Sequence, residues 1–265
     1  MPEVSRGAAT LAAAGVDTPR LDAELLLAEA LGIDRTRLYL DAPALVDPAN
    51  LARFQQLIER RVAREPVAYI LGRRDFRRLT LAVDRRVLIP RPETELLVEV
   101  GLSLPSGVRV ADVGTGSGAV ALALKDERPD LDVVGIDLNE DAVAVASDNA
   151  SRLGLAASFV VGDLLDGFAG RFDAVLANLP YVASGAVLAP EISEWEPRSA
   201  LFAGSDGLDV IRRLVVQLSG VSLVALEIGF DQADAVASLV SDAGFGSVER
   251  LRDLAGHERV IVGRR

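Results

Sequence analysis

The stretch Asp112-Val113-Gly114-Thr115-Gly116-Ser117-Gly118 decides how the chain is read. It closes a short apolar run, Arg109–Val113, and opens directly onto a helical pattern over Ala119–Glu127. Glycines at such a junction let the backbone turn sharply and approach a ligand closely, and the helix N-terminus beyond them presents unpaired N–H groups. A nucleotide-like ligand is expected there. The ending Gly118-Ala119 also fits the dinucleotide pattern G-x-G-x-x-G/A, so the glycines alone leave a nicotinamide dinucleotide and a nucleoside sulfonium both open. A tight turn without a ligand is the bland alternative.

Working outward, strands are predicted at Asp132–Asp137, Ser158–Val161, Asp173–Ala177, Ser222–Ile228, Ser247–Leu251 and Arg259–Val262. Helices are predicted at Glu93–Leu104, Glu140–Leu153, Leu208–Leu218 and Gln232–Asp242. Short apolar strands alternating with amphipathic helices imply an α/β fold with a parallel sheet covered on both faces. The last two strands, joined without a helix, should pair antiparallel. Towards the N-terminus, the period becomes two from Phe76, with Leu79, Leu81 and Val83 on one face, Asp84 at a turn, and Val87 and Ile89 following, which suggests a β-hairpin connector. The first seventy or so residues read as helices, with starts at Thr18-Pro19 and Asp47-Pro48, a stop at Gly32 and a close at Pro66. The expected division is a helical domain over 1–73, a hairpin linker over 74–91 and a nucleotide-type domain over 92–265.

At 265 residues, half hydrophobic and a quarter charged, the chain can bury a sizeable core and is neither disordered nor fibrous. Without Cys it has no disulfide, thiolate zinc site or cysteine nucleophile. Its apolar runs fall short of the ~20 residues of a membrane span, and the N-terminus lacks a signal pattern, so a cytoplasmic location is expected. A net charge of −11 argues against nucleic-acid binding. Between Arg60 and Arg91, however, ten Arg face only three acids, Glu65, Asp75 and Asp84. The arginines at 73, 74, 77, 78, 85 and 86 are read either as a docking surface for an acidic partner or as a solvated hairpin.

Asp112, Asp137 and Asp163 each end or follow a predicted strand, at the edge where open α/β sheets bind ligands. Asp137 is placed to accept from ribose hydroxyls, or to cap the next helix. Asp163, before Leu164, suits an exocyclic amine, or an ordinary turn. Asn178-Leu179-Pro180-Tyr181 ends the fourth strand, and Asn178 is one of only four Asn in the chain. An amide nitrogen is a poor nucleophile because its lone pair is delocalised. Methylating it requires acceptors for both N–H groups, such as the Asn178 side-chain oxygen and the next backbone carbonyl, with Tyr181 against the planar group. In isolation the tetrapeptide also reads as a polar turn.

With these residues on the page, the chain resembles the protein N5-glutamine methyltransferases of peptide chain release factors, the HemK or PrmC family. The likeness is carried by Arg64 to Gly72, by Leu88-Ile89-Pro90-Arg91-Pro92-Glu93-Thr94-Glu95, by Asp112 to Gly118, by Glu196-Pro197 with Ala200-Leu201, by Asp206-Gly207-Leu208 and by Glu227-Ile228-Gly229. It implies a seven-stranded, Rossmann-like class I methyltransferase domain behind a small helical domain that recognises substrate. It implies S-adenosylmethionine as methyl donor, S-adenosylhomocysteine as product, and no metal. By the same resemblance Gly114, Thr115, Gly116, Ser117 and Gly118, with Asp112, form the methionine-side loop, Asp137 takes ribose, and Asp163-Leu164 take adenine. Asn178, Leu179, Pro180 and Tyr181 fall on the substrate motif. There the sequence departs from the usual Asn-Pro-Pro-Tyr: Leu179 keeps a carbonyl but lacks the fixed φ of proline and adds an N–H.

The function so implied is methyl transfer to the Gln of the Gly-Gly-Gln motif of class 1 release factors, in translation termination, by a monomer without nucleic-acid or membrane partners. Three readings compete with it. One is a nucleic-acid amino-methyltransferase. Another is an NAD-dependent oxidoreductase, for which the sole His, His257, offers no clear partner. The third is a cofactor-binding module whose turnover is impaired by Leu179.

Overall fold

A computed structural model of the chain describes residues 1–40, 46–168 and 170–265. Contacts divide them into two compact units, Met1–Arg73 with Leu188–Trp195, and Arg74–Val187 with Glu196–Arg265.

The first unit contains α1 (Pro2–Ala13), α2 (Pro19–Leu31), α3 (Arg35–Leu40), α4 (Pro48–Val62) and α5 (Val67–Leu71). Leu11, Leu26, Leu27, Leu38 and Phe54 form its core. Asp47 caps α4 by accepting from the N–H groups of Ala49 and Asn50, and Gly32 ends α2 in the left-handed conformation. Thr18 stands at the N-cap of α2, yet its hydroxyl donates to Asp22 Oδ1 (2.8 Å) and caps nothing. The later segment returns to this unit carrying a short helix, which the sequence pattern did not reveal. There Glu191 takes Arg61 at 2.8 Å and Arg64 at 2.7 Å. Arg61 is itself buried and also holds Asp22 at 2.7 Å.

In the second unit, β1 (Arg73–Phe76) and β2 (Leu79–Ala82) form the hairpin. Its turn is Arg77-Arg78 and not the expected Asp84. Turn chemistry concealed it: Arg77 takes φ +50° without being Gly or Asn, and its guanidinium is held by Glu127 and Glu99. Seven further strands make the sheet: β3 (Arg109–Val113), β4 (Asp132–Asp137), β5 (Ser158–Val161), β6 (Ala174–Ala177), β7 (Leu223–Glu227), β8 (Ser247–Arg252) and β9 (Glu258–Arg264). Their order is β5-β4-β3-β6-β7-β9-β8. The first five pair parallel, and β9 pairs antiparallel with both β7 and β8. This is the seven-stranded α/β class read from the sequence.

Alternation along the central strands divides the core. Val175 and Ala177 of β6, and Val224 and Leu226 of β7, pack in one cluster with Ile211 and Val236. Ala174, Leu176, Leu223 and Ala225 face the other, with Leu97 of α6 (Glu95–Leu102), Leu122 and the hairpin's Phe76 and Leu81. Strand order reverses between β3 and β6, so the connections leaving their C-terminal ends part and open a crevice there.

The arginine-rich stretch is largely neutralised within the protein. Arg73 pairs with Glu29, Arg78 with Asp126 and Arg86 with Asp84, besides Arg77 with its two acids. These pairs favour an internally matched surface over a docking site for an acidic partner. Among the described residues no helix is long and apolar enough to cross a membrane.

Removing one partner from a buried ion cluster strands the other charge. Arg61→Ala is therefore expected to destabilise the chain by about 3–5 kcal/mol in urea unfolding, far more than Arg6→Ala, whose partner Glu3 forms a surface pair.

Candidate active site

The loop after β3 turns under three glycines at positive φ. A Cβ on Gly114 would stand 3.1 Å from the Asn178 carbonyl oxygen, whereas one on Gly116 would meet nothing within 4 Å. The first glycine thus allows two strand ends to approach, and the second keeps the floor of a cavity of about 430 Å³ open.

Of the residues expected from sequence, Gly114, Gly116, Asp137, Asp163, Leu164, Asn178, Leu179 and Pro180 line that cavity. Asp112, Thr115, Ser117, Gly118 and Tyr181 do not. Asp112 is a structural staple: it is buried, and its Oδ2 accepts from Thr115 Oγ1 (2.6 Å) and from the N–H of Ala121 (3.1 Å), fastening the loop to α7 (Ala119–Glu127). Burial raises its carboxyl to about 6.

Asp137 Oδ2 accepts from the N–H of Gly116 (2.9 Å) and Oδ1 from that of Asn139 (3.0 Å). Each oxygen keeps a second lone pair for a hydroxyl donor. Burial raises the Asp137 pKa. The cap of α8 (Glu140–Leu153) falls to Asn139, whose side chain accepts from the N–H of Asp141. Asp163 forms an ion pair with Arg213 (2.6 Å), another cavity-lining residue. Leu164 adopts φ +56°, and the neighbouring Leu165 N–H donates to Gln217 Oε1 (2.7 Å). Leu138 adds an exposed apolar side chain to the cavity wall. Leu179 is buried, with its Cδ2 3.2 Å from where a Gly114 Cβ would stand.

The tetrapeptide after β6 is held from several sides. Asn178 Nδ2 donates to the hydroxyl oxygen of Thr94 (3.0 Å), which leaves the amide oxygen as the group's remaining acceptor. Thr94 sits in the 3-10 turn Pro92–Thr94, and Arg91 just before it pairs with buried Glu196. The string Ile89 to Glu95 thereby has a structural role: it orients Asn178. The Tyr181 carbonyl accepts from Gln232 Nε2 (2.9 Å), which also donates to the Asp206 carbonyl (3.2 Å). A Cβ on Gly207 would stand 2.2 Å from that Tyr181 oxygen, so the Asp206-Gly207-Leu208 turn admits no side chain there. The Tyr181 hydroxyl donates to Glu227 Oε1 (3.4 Å). Burial, against opposing pulls from the Thr94 and Tyr181 hydroxyls, lifts Glu227 to about 7.

Sequence reasoning missed the roles of Thr94, Gln232, Gln217 and Asn149. Asn149, fully buried, donates to the carbonyls of Ser117 and Ala82 (3.0 Å each), tying the glycine loop to the hairpin. A buried Asn on an otherwise apolar helix face was the available signal.

The strand order, with a cavity at its reversal point, defines a Rossmann-like methyltransferase. A profile described as "Methyltransferase small domain" matches residues 92–194, and one described as "PrmC N-terminal domain" matches residues 4–72. A methyltransferase from Pyrococcus furiosus superposes with a TM-score of 0.54 at 15% identity, covering 69% of this chain and 87% of that one. The chain is 42% identical to the release factor glutamine methyltransferase of Rhodospirillum rubrum, over 99% of its own length and 84% of the relative's. It is 43% identical to that of Cereibacter sphaeroides, over 96% and 94%. The chain belongs to the release factor glutamine methyltransferase family.

Glu227 carries a stability consequence. Its folded-state pKa lies above the ordinary 4.5, so the stability it contributes is full below about 4.5 and is lost as pH rises through about 7. Glu227→Gln removes that loss. It is expected to raise Tm at pH 8, by the equivalent of roughly 3 kcal/mol, and to change it little at pH 5, as read by calorimetric scans.

Proposed function

We propose that the chain transfers a methyl group from S-adenosylmethionine to the side-chain amide nitrogen of the Gln in the Gly-Gly-Gln motif of class 1 release factors. The observation that carries this reading is the Asn178 amide, oriented by Thr94 at the edge of the cavity beside the glycine loop. A release-factor substrate also implies work in the cytoplasm, and the helical unit is the proposed recognition element.

The cavity residues fit the cofactor. Gly116 leaves open space where the loop faces the cavity, Asp137 offers lone pairs to ribose hydroxyls, and Leu138 and Leu164 provide apolar surface for a planar ring. Asp163 would accept from the exocyclic amine while retaining Arg213. S-adenosylmethionine supplies an electrophilic methyl on a cationic sulfur that leaves as a neutral thioether.

Asn178 Oδ1 accepts one N–H of the substrate amide, and the Leu179 carbonyl accepts the other, which aims the nitrogen at the methyl group. Holding both hydrogens concentrates electron density on nitrogen as the new bond forms. Once methylated, the cationic amide is acidic enough to lose its proton to water, so a general base is not required. Leu179 supplies the carbonyl that proline supplies elsewhere, and its buried side chain fixes the backbone by packing where proline would do so by ring closure.

Two outcomes are expected. Asp137→Ala should weaken S-adenosylhomocysteine binding by about 1–3 kcal/mol in titration calorimetry. Asn178→Ala should slow single-turnover methylation of a Gly-Gly-Gln release factor by about 10²-fold or more, with much less change in cofactor affinity. Equal rates for parent and Asn178→Ala would overturn the mechanism.

A further inference from the structure

The sheet edge that carries the Asn178 tetrapeptide also carries two exposed apolar side chains that the mechanism leaves unused. β7 runs parallel to β6, so the turn after it opens at the same edge as Asn178. β9 runs antiparallel to β7, with Val260 opposite Glu227, so the turn joining β8 to β9 lies at that edge too. The first turn presents Phe230, which is 66% exposed and the only exposed phenylalanine of eight. The second presents Leu254, fully exposed at its tip. The rings of Phe230 and His257 lie 6.1 Å apart between centroids, so the two turns meet.

Both turns are fixed by polar side chains beneath them. Gln232 closes the first: its Oε1 accepts from the N–H of Gly229 (2.9 Å), and its own N–H donates to the Gly229 carbonyl (3.0 Å). The Nε2 of the same side chain donates to the Tyr181 carbonyl (2.9 Å), so Phe230 rides on the turn that grips the tetrapeptide. Asp253 closes the second. Its Oδ1 accepts from the N–H groups of Ala255 and His257, and its Oδ2 from Arg259 Nε, each at 2.9 Å. Single apolar residues scattered over a surface are ordinary. Two of them on adjoining, hydrogen-bonded turns at the edge of a site form a preformed contact surface, on which a partner binds with little further loss of backbone freedom.

The chemistry of the substrate indicates the occupant. A Gly-Gly-Gln tripeptide offers one side chain, because its glycines have none, and that side chain is a Gln amide found on most proteins. Selecting one such Gln therefore requires binding energy from substrate residues outside the tripeptide. We propose that Phe230 and Leu254 form a docking surface for apolar side chains of the release factor that flank its Gly-Gly-Gln motif. The proposal rests on the methyl-transfer reading above. It assigns these two residues to substrate selection and leaves the reacting amide to Asn178 and the Leu179 carbonyl. A surface attached to the Tyr181 carbonyl through Gln232 lies where a chain threading past the tetrapeptide must continue.

The test compares the full-length parent with Phe230→Ser, Leu254→Ser, the conservative Phe230→Leu and, as control, Val216→Ser at an exposed apolar residue after the helix Asp209–Val215. Affinity for a class 1 release factor is measured by titration calorimetry on each protein loaded with S-adenosylhomocysteine, and kcat and KM are measured for its methylation. Phe230→Ser and Leu254→Ser should each weaken release-factor binding and raise KM about tenfold, with kcat within about twofold of the parent and S-adenosylhomocysteine affinity unchanged. Phe230→Leu and Val216→Ser should stay within about threefold of the parent in both. The same loss should appear against a release factor whose motif Gln is replaced by Ala, since the surface acts outside the tripeptide. Parental affinity and KM in both Ser variants overturn the proposal. So does a fall in kcat at unchanged KM, the mark of a turn that only supports Tyr181. A parent that sediments as a dimer and becomes monomeric on Phe230→Ser also overturns it, because a second copy then covers the surface. If the Ser variants lose release-factor affinity while the parent methylates no Gly-Gly-Gln motif, the docking surface stands and the methyl-transfer reading falls. If the parent methylates the motif and every variant matches it, only the docking surface falls.

Discussion

The site depends on how closely two strand ends pass. Where β3 gives way to its glycine loop, the Asn178 carbonyl lies so near Gly114 that a single Cβ would stand 3.1 Å from it. That proximity follows from parallel pairing of β3 and β6 in register up to Val113 and Ala177. It brings the glycine loop and the Asn178 tetrapeptide together, so that both line one cavity. The strand order, the apolar clusters on both faces and the staple from Asp112 to α7 all hold those two ends at that separation.

Around this axis the chain uses buried and half-buried polar side chains as fasteners where a minimal fold would use apolar ones. Asn149, Gln232, Gln217 and Thr94 each fix a backbone turn or an amide through hydrogen bonds of 2.7–3.2 Å. Each satisfies a group that helix or sheet pairing leaves free, which is the condition for burying polarity at modest cost. Leu164, held at positive φ in the cavity wall, is strained backbone kept in place by such a fastener.

The sheet was legible in the sequence because its signals are local. Apolar alternation, the Gly114 to Gly118 loop and the caps at Asp47 and Gly32 each involve a few adjacent residues. The cavity's acids and glycines were legible for the same reason, since a strand end with Gly or Asp announces an edge. What escaped involves partners far apart in sequence. Thr94 meets Asn178 across 84 positions, and Gln232 meets Tyr181 across 51. Asp112 had the right address, but which way a carboxylate turns is decided by Thr115 and the amide of Ala121. The hairpin turn was displaced because Arg77 carries its positive φ with help from Glu99 and Glu127, which no window around the turn contains. The arginine excess likewise looked unmatched because Glu29, Glu99, Asp126 and Glu127 lie outside the stretch.

The return of Leu188–Trp195 to the first compact unit has a consequence for the order of assembly. A chain emerging from the ribosome presents Arg61 and Arg64 long before it presents Glu191, the carboxylate that both of them hold. The five helices therefore wait, electrostatically incomplete, through synthesis of β1 to β6 and of the Asn178 tetrapeptide. The helical unit is a discontinuous domain whose last piece is delivered shortly after the Asn178 tetrapeptide. That piece thus follows β6 and precedes β7, β8 and β9, so the two units are completed in interleaved order.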